Sequence, residues 1–247
     1  MSVEIIIIGD EILYGIVKDE NSYILVNELT ARGFFVNRIT IVRDDEREII
    51  DAVKSSLNKG AKIIITTGGL GPTEDDKTID AMSKFFGRKI IIDEEMAKRI
   101  KDCFDGNPPE VAYKMARVLE GAKIYRSPLG LAPAQVIRHE GVYIIVLPGP
   151  PKEVKILIGR ILDDISNILG KKYRCRRRIY LKAKEAELAH LLTNAINRFK
   201  VYIKALVAEK SEHGLPIEIL GFGEDKEECK RRLEEVIKFL LNQNVTH

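Results

Sequence analysis

The chain has 247 residues, of which 45% are hydrophobic and 31% are charged, with a formal net charge of +3 at pH 7. These values are typical of a globular protein with one large α/β domain and a smaller appendage, or with two modest domains. No apolar run approaches the roughly 20 residues that span a bilayer, and no basic segment precedes the apolar run Val3–Ile8 as a signal peptide requires. We therefore expect a cytoplasmic protein that has no membrane partner.

The cysteines and the charge distribution exclude two kinds of site. Cys103, Cys175 and Cys229 are odd in number and far apart in the sequence, so we expect neither a disulfide framework nor a zinc cluster. Residues 1–170 contain 23 Lys+Arg and 26 Asp+Glu, whereas residues 171–247 contain 17 and 11. Phosphate binding in the first part therefore requires aimed backbone groups or a metal ion rather than a broad basic surface. Scarce glutamine beside abundant Ile, Lys, Arg and Glu favours a thermophilic source.

Strand-like and helix-like patterns alternate along residues 1–170, which predicts a doubly wound, mostly parallel α/β sheet. The apolar run Val3–Ile8 is typical of a buried parallel strand. A capping box at Asp45-Glu46-Arg47-Glu48 predicts the start of one helix, and Gly60 marks its end. The other predicted strands are Phe34–Val42, Ala61–Thr66, Lys123–Arg126, Ala134–His139 and Val142–Leu147. The other predicted helices are Ser22–Arg32, Thr78–Phe86, Asp93–Phe104 and Lys152–Leu169.

Residues 171–247 have a different pattern, which predicts a small α+β domain of the order β-α-β-β-α. Its predicted elements are the strand Ile179–Ala183, the helix Glu185–Phe199, the strands Val201–Ala208 and Ile217–Phe222, and a last helix after a capping box at Asp225 and Glu228. The domain opens with the basic residues Lys171, Lys172, Arg174, Arg176, Arg177 and Arg178. Such a run could contact nucleic acid, but it is more typical of a solvated linker and edge strand.

Three loops of unusual composition follow predicted strands: Gly9-Asp10-Glu11, Thr67–Asp76 and Pro148–Pro151. In an open parallel sheet, ligands bind outside the carboxyl ends of the strands, so we expect these loops to surround one site. The glycines of the middle loop let the main chain approach a ligand and aim N–H groups at it, and the following helix adds its positive N-terminal dipole. The sequence therefore predicts a phosphate-binding site for a nucleotide or a pterin.

Four carboxylates accompany these loops, namely Asp10, Glu11, Asp75 and Asp76, and no basic residue is evident beside them. Oxygen ligands of this kind suit Mg²⁺ or Mn²⁺, and a metal ion would explain how an acidic pocket tolerates phosphate. The alternative is that the two adjacent aspartates only complement the dipole of the following helix. Asp45 is better explained as a helix cap than as a ligand.

Three segments, in this order, resemble the CinA-type competence/damage-inducible family. They are Gly9-Asp10-Glu11-Ile12-Leu13 with Gly15 and Asp19-x-Asn21, then Thr67-Gly68-Gly69-Leu70-Gly71-Pro72-Thr73-x-Asp75-Asp76 with Thr78, then Leu147-Pro148-Gly149-x-Pro151-x-Glu153. The pair Asp44-Asp45, between the first and second segments, also falls in the family's order. The similarity covers about residues 1–170, and its middle segment is highly specific. The wider superfamily has the molybdopterin-binding (MoaB/MogA-like) fold. Ala134 and Pro150 depart from the residues that the family usually has there.

The resemblance implies a metal-dependent pyrophosphatase that acts on ADP-ribose or a related dinucleotide with Mg²⁺, Mn²⁺ or Co²⁺, as a homodimer. The implied catalytic residues are Asp75 and Asp76, and the implied metal ligands are Asp10, Glu11, Asp75 and Asp76. The implied substrate-binding residues are Gly9, Asp10, Asn21, Thr67, Gly68, Gly69, Leu70, Gly71, Pro72, Thr73, Thr78, Pro148, Gly149, Pro151 and Glu153.

The remaining residues 171–247 are similar to a KH-like domain but lack its Gly-x-x-Gly loop, so nucleic acid is not an expected partner. They are also too few for the nicotinamide-nucleotide amidase domain that many members of the family carry.

Two other functions fit the same residues. The first is a molybdopterin-binding or adenylyl-transfer protein that uses the same glycine loop. The second is a non-enzymatic nucleotide sensor, or an RNA-binding module that acts through the basic tail. One fold often hosts several chemistries, so the geometry of the site has to decide among these functions.

Overall fold

A computed structural model describes residues 2–169 and 173–244. The chain forms two compact units, the first made of Met1–Thr30 and Phe34–Ile165, the second of Ala31–Gly33 and Ser166–His247. The predicted boundary between residues 170 and 171, together with Lys171 and Lys172 of the basic run, lies outside the described residues. No helix in the described ranges is long and apolar enough to cross a membrane.

The first unit is built on a six-stranded, mostly parallel sheet with the strand order β2-β1-β3-β8-β7-β6. Its strands are β1 (Ser2–Ile8), β2 (Phe35–Val42), β3 (Ile63–Thr67), β6 (Lys123–Tyr125), β7 (Ala134–His139) and β8 (Val142–Leu147). β1 pairs in parallel with β2 and β3, and β3 with β8, whereas β7 and β6 continue the sheet in antiparallel fashion. A separate antiparallel pair consists of β4 (Ile90–Ile92) and β5 (Arg117–Leu119). The predicted α/β fold class is confirmed.

Six helices and a 3₁₀ segment complete the described part of the first unit. They are α1 (Asp10–Leu13), α2 (Asn21–Ala31), α3 (Glu46–Asn58), α4 (Thr78–Phe86), α5 (Glu94–Cys103), α6 (Pro151–Leu169) and the 3₁₀ segment Glu110–Ala116. Asp45 caps α3 by accepting from the N–H groups of Arg47 and Glu48. The predicted capping box is only half correct, because Glu48 accepts from the N–H of Arg43 at 3.3 Å. The short helix α1 and the β4–β5 pair were not predicted.

The central strand β1 is covered on both faces, which explains why it is apolar at Val3 and from Ile5 to Ile8. Its one charged side chain, Glu4, is also buried and has two partners. Glu4 Oε2 accepts from Arg38 at 2.5 Å and from the hydroxyl of Ser56 at 2.7 Å. A buried carboxylate is tolerated when it is paired and hydrogen-bonded in this way. The sheet is therefore held by apolar burial with one compensated charge inside it.

The second unit has a three-stranded antiparallel sheet in the order β10-β11-β9 with two helices. Its elements are β9 (Tyr173–Leu181), α7 (Glu185–Phe199), β10 (Tyr202–Ala205), β11 (Leu215–Gly223) and α8 (Lys226–Asn244). The described part of the basic run lies on the edge strand β9. There Arg176 and Arg178 both donate to Glu218 of β11, and they lower the pKa of this buried carboxyl. These arginines neutralise a buried charge of their own sheet.

The cysteines differ from the prediction. Cys175 on β9 and Cys229 on α8 form a disulfide with a Cα–Cα distance of 5.8 Å, and Cys103 is free and exposed. The sequence analysis, which expected no disulfide framework, did not predict this single disulfide because it relied on distance along the chain. Cys175 and Cys229 are 54 residues apart in sequence but lie on two elements that pack together.

Substitutions of Ile5 and Ile39, which lie opposite each other on neighbouring strands, test where the core of the first unit lies. The two residues are partners on β1 and β2, but Ile5 is 0% exposed and Ile39 is 40% exposed. We expect Ile5→Ala to lower the free energy of unfolding by about 2–5 kcal/mol, because it removes buried methyl groups and leaves a cavity. The matched variant Ile39→Ala should cost much less. Urea unfolding of both variants measures the difference, and equal losses would contradict this placement of the core.

Candidate functional site

The three predicted loops meet at one cleft of about 430 Å³ at the carboxyl ends of the parallel strands. The predicted site residues that line it are Glu11, Asn21, Thr67, Gly68, Gly69, Leu70, Gly71, Asp75, Asp76, Pro148, Gly149, Pro151 and Glu153. The predicted residues outside its lining are Gly9, Asp10, Pro72, Thr73 and Thr78. The structure therefore brings the three loops together, as the position of ligand sites in open α/β sheets predicts.

A network of hydrogen bonds joins the start of α2 to the loops after β3 and β8. The amide nitrogen Nδ2 of Asn21, at the start of α2, donates to the carbonyl oxygen of Gly149 at 2.7 Å and to Thr67 Oγ1 at 3.2 Å. The hydroxyl of Thr67 in turn donates to the carbonyl oxygen of Pro148 at 2.7 Å. One side chain from the first segment thus ties the end of β3 to the proline-rich loop after β8.

The glycine loop after β3 takes a conformation that side chains would obstruct. Gly68 has φ 107°, and a Cβ there would overlap the carbonyl oxygen of Ile8. Gly69 has φ 65°, and a Cβ there would overlap the hydroxyl of Thr78. That hydroxyl donates to the carbonyl oxygen of Gly68 at 2.8 Å. Glycine is therefore required at both positions to let the main chain turn back on itself.

Asp76 holds this loop closed. Its Oδ1 accepts from the N–H of Gly71 at 2.6 Å, and its Oδ2 accepts from the N–H and the hydroxyl of Thr73 at 2.8 and 2.5 Å. Both carboxylate oxygens are thus engaged within the loop. The structure gives Asp76 a positioning role, and its predicted role in catalysis and metal binding stays a prediction.

Few of the loop amides are available to a ligand. The N–H of Gly68 donates to the carbonyl oxygen of Leu147, and those of Gly71 and Thr73 donate to Asp76. Within the described residues, the N–H groups of Gly69 and Leu70 have no protein acceptor. Among the amides of residues 68–73, those of Gly69 and Leu70 are therefore left for a ligand.

The carboxylates of the cleft differ in their surroundings. Asp10 has a basic neighbour, contrary to the prediction, because Arg43 Nε lies 3.1 Å from its Oδ1. Asp75 is exposed, and its pKa is lowered by the hydroxyl of Thr73, by its own N–H and by the charges of Lys114 and Lys77. Asp75 therefore stays ionised at neutral pH.

Glu153 is the most buried carboxylate at the cleft, with 8% of its surface exposed. It lies on α6, two residues after the helix begins at Pro151. Burial raises the pKa of Glu153, and the charge of Arg99 opposes this rise. Among residues 2–169 and 173–244, its Oε2 has no hydrogen-bond partner, and it lies against Gly130, where a Cβ would overlap it.

Four polar residues that line the cleft were not among the predicted site residues, namely Lys18, Asp19, Glu20 and Asp44. Asp44 lines it and accepts from the N–H of Asp10 at 2.8 Å. Burial raises the pKa of Asp44, the hydrogen bond from Asp10 opposes the rise, and the charges of Glu11, Asp10 and Asp75 add to it. Lys18 contributes a positive charge to the lining. Asp44 follows β2, so the rule applied to the other parallel strands would have found it.

The four predicted metal ligands do not form a complete metal site. Within residues 2–169 and 173–244, no three His, Cys, Asp or Glu side chains are grouped so that they could hold a metal ion. Asp10 is paired with Arg43, and Asp76 is engaged by the loop. Glu11 and Asp75 remain as carboxylates that line the cleft.

Comparisons with known proteins agree with this architecture. Residues 4–167 match the family model described as "Probable molybdopterin binding domain". A protein from Pyrococcus abyssi is 34% identical over 257 aligned positions, which cover 100% of this chain and 98% of that protein. A CinA-like protein from Thermosipho melanesiensis is 32% identical over 98% of this chain, which spans 59% of its length. The crystal structure of CinA from Thermoplasma acidophilum superposes with a TM-score of 0.62 and 33% identity, covering 66% of this chain and 97% of that chain.

The backbone approach at Gly68 can be tested with an alanine. Gly68→Ala forces a Cβ against the carbonyl oxygen of Ile8, whereas Gly60, with φ 77°, has open space around it. We expect Gly60→Ala to cost only the left-handed backbone penalty of roughly 1–2 kcal/mol, and Gly68→Ala to cost at least twice as much. Urea unfolding compares the two variants. A Gly68 variant that is no less stable than the Gly60 variant would contradict the described loop.

Glu153→Gln tests the burial of the Glu153 carboxyl. Because its folded-state pKa is raised, ionisation destabilises the folded protein as pH rises from the ordinary Glu range through the raised pKa. We expect the variant to gain about 0.5–2 kcal/mol at pH 7 relative to the wild type, and to lose this gain below about pH 4, where both states are protonated. Unfolding at a series of pH values measures the difference. Glu74→Gln, at an exposed loop position, is the control. A gain in stability that is the same at every pH would contradict the raised pKa of Glu153.

Proposed function

Because the chain belongs to the family of probable molybdopterin binding domains, we propose that its cleft binds a phosphorylated nucleotide or pterin. We further propose that it hydrolyses the pyrophosphate bond of a dinucleotide, with ADP-ribose as the substrate that the resemblance implies. The observation that carries the proposal is the pair of unpartnered amides of Gly69 and Leu70 in a cleft walled by three loops.

Phosphate binding follows from the donors at the cleft. The two free amides lie next to one another in a turn stabilised by Asp76, so they can donate together to phosphate oxygens without rearrangement of the loop. Lys18 adds a positive charge at the same cleft. Aimed amides of this kind compensate for the absence of a broad basic surface in the first 170 residues.

Hydrolysis requires a water molecule directed at phosphorus. Asp75 is exposed, lines the cleft and remains ionised, so its carboxylate can accept a hydrogen bond from the water and orient it. The water oxygen then forms a bond to phosphorus while the bridging P–O bond breaks, and the proton that the water loses passes by way of the Asp75 carboxylate to solvent. The released phosphate takes the bridging oxygen with its electron pair. The amides of Gly69 and Leu70 stabilise the charge on the non-bridging oxygens.

The resemblance implies a divalent ion, Mg²⁺, Mn²⁺ or Co²⁺. Mg²⁺ is commonly held by one or two carboxylates together with substrate phosphates. Since the described carboxylates form no complete site, such an ion would be shared between the phosphates and Glu11 or Asp75, where it would neutralise phosphate charge. The homodimer that the resemblance implies also stays a prediction.

Binding without turnover is the second candidate function. The family description favours it directly, because it names molybdopterin binding rather than hydrolysis. RNA binding through the basic tail has less support, since Arg176 and Arg178 are paired with Glu218. Turnover of a dinucleotide separates a hydrolase from a binding protein or a sensor.

Incubation of the full chain with ADP-ribose, FAD and a GDP-sugar tests hydrolysis, with Mg²⁺, Mn²⁺, Co²⁺ or a chelator. We expect release of mononucleotides from at least one substrate, measured by chromatography. Asp75→Ala should lower kcat by a factor of about 100 or more, because the water loses its orienting group. The matched control Glu74→Ala, in the same loop but outside the cleft lining, should retain activity.

Asp76→Ala should instead act on the loop and raise KM, because the Gly71 and Thr73 amides lose their acceptor. If all substrates remain intact under every condition while still binding, the protein is not a pyrophosphatase, and the binding function stands.

A further inference from the structure

A lysine from a distant part of the chain holds the acidic end of the glycine loop, residues 73–76. Lys114 lies in the 3₁₀ segment Glu110–Ala116, 41 residues after Thr73, and its Nζ donates to the carbonyl oxygen of Thr73. Among the residues that the structure describes, Lys114 is the one side chain from outside the loop and α4 that hydrogen-bonds to residues 73–76. The acidic end of the loop is therefore tied to the rest of the unit through this lysine.

Two side chains of opposite charge hold Thr73 in place. Asp76 accepts from the N–H of Thr73 at 2.8 Å and from its hydroxyl at 2.5 Å. The carbonyl oxygen of Thr73 accepts from Lys114, and also from the N–H of Asp76 at 3.3 Å. Hydrogen bonds that involve an ionised group are roughly twice as strong as neutral ones. Every polar group of Thr73 is thus engaged, and only Lys114 fixes it to another part of the fold.

The carboxylate of Asp75 depends on this anchor. Asp75 is exposed and lines the cleft, and the contacts that lower its pKa include hydrogen bonds from the hydroxyl of Thr73 and from its own N–H. Both of these hydrogen bonds are local to the loop, so the direction of the carboxylate follows the backbone at Thr73. Whatever fixes Thr73 therefore also fixes the direction in which Asp75 faces the cleft.

The 3₁₀ segment gives Lys114 a rigid base. Ala112 and Ala116 of this segment are 2% and 0% exposed, and they pack in one apolar cluster with Met96 and Ile100 of α5. A functional side chain keeps its geometry when the element that carries or supports it is fixed by packing. The anchor of the acidic end of the loop is therefore part of the folded core rather than of a second loose loop.

We propose that Lys114 is a positioning residue for hydrolysis, which acts through Thr73 to hold the Asp75 carboxylate where it orients the attacking water. Lys114 does not line the cleft, so it acts through the loop and not on the substrate. A displacement of about 1 Å caused by a change away from the reacting atoms can lower a rate by a factor of about 100. The inference rests on the proposed pyrophosphatase function and adds a residue that the function requires.

Lys77 provides a matched control variant. The charges of Lys114 and Lys77 both lower the pKa of Asp75. Within the described ranges, however, the side chain of Lys77 makes no hydrogen bond to residues 73–76. Lys77→Met therefore removes a neighbouring charge alone, whereas Lys114→Met removes a charge together with the anchor. Lys114→Arg keeps both the charge and an N–H donor.

Steady-state hydrolysis of the dinucleotide that the full chain turns over compares these variants. We expect Lys114→Met to lower kcat by a factor of about ten or more and to change KM by less than about threefold, because the amides of Gly69 and Leu70 still bind the phosphates. Lys114→Arg and Lys77→Met should keep kcat within about threefold of the wild type. Urea unfolding shows that each variant is folded, and Lys114→Ala replaces Lys114→Met if the methionine variant does not fold.

A double variant tests whether Lys114 acts through Asp75. Asp75→Ala already removes the water-orienting carboxylate, so adding Lys114→Met should lower kcat by less than about twofold further. A general structural role of Lys114 would instead lower kcat of the Asp75→Ala protein by the same factor as in the wild type. The double variant thus separates positioning of one carboxylate from support of the whole cleft.

The possible failures of the inference and of the proposed function are distinct. If the wild type is active and Lys114→Met has the same kcat, Lys114 has no positioning role and the pyrophosphatase function stands. Equal losses in Lys77→Met and Lys114→Met would assign the effect to charge alone and also overturn the inference. A wild type that hydrolyses no dinucleotide would remove both the proposed function and the role of Lys114.

Discussion

The hydrogen bonds of Asn21 are the constraint on which the rest of the cleft depends. Its amide donates to the hydroxyl of Thr67, the last residue of β3, and to the carbonyl oxygen of Gly149, two residues after the adjacent parallel strand β8. The close approach of the main chain at Gly68 depends on the same packing, because its N–H bonds to Leu147 at the end of β8. A single buried side chain thereby fixes the distance between the glycine loop and the proline-rich loop.

The cleft combines the amides of the glycine loop with an excess of carboxylates, and such an excess is by itself unfavourable for stability. The raised pKa of Asp44 reflects burial among neighbouring negative charges, and that of Glu153 reflects burial with little compensation. Structures tolerate such groups where function requires them and the surrounding core supplies the stability. Here the core is the sheet around β1, which is apolar on both faces. The apolar burial in the sheet therefore offsets the free energy that the buried carboxylates of the cleft cost.

The second unit illustrates how pairing changes the meaning of a charge pattern. A basic run is a candidate for nucleic acid binding when only its sequence is known. In the structure, Arg176 and Arg178 converge on one buried glutamate across the sheet, and this pairing accounts for their presence. The disulfide between Cys175 and Cys229 joins the same edge strand to the last helix. An ion-pair cluster and a covalent link thus add to the apolar core of this unit, and the sequence analysis predicted neither.

The sequence by itself determined the fold class, most helix and strand positions, and the three loops of the cleft. These depend on local patterns, namely apolar periodicity, caps and glycine turns, together with the rule for ligand sites in parallel sheets. Only the tertiary structure decided which polar groups of the cleft are engaged by the protein itself and which remain available to a ligand. It showed that Asp10 is paired with Arg43 and that Asp76 serves the loop, and it left Glu153 buried without a partner. The physical reason is that availability depends on contacts between residues far apart in the chain, and a linear pattern contains no record of them.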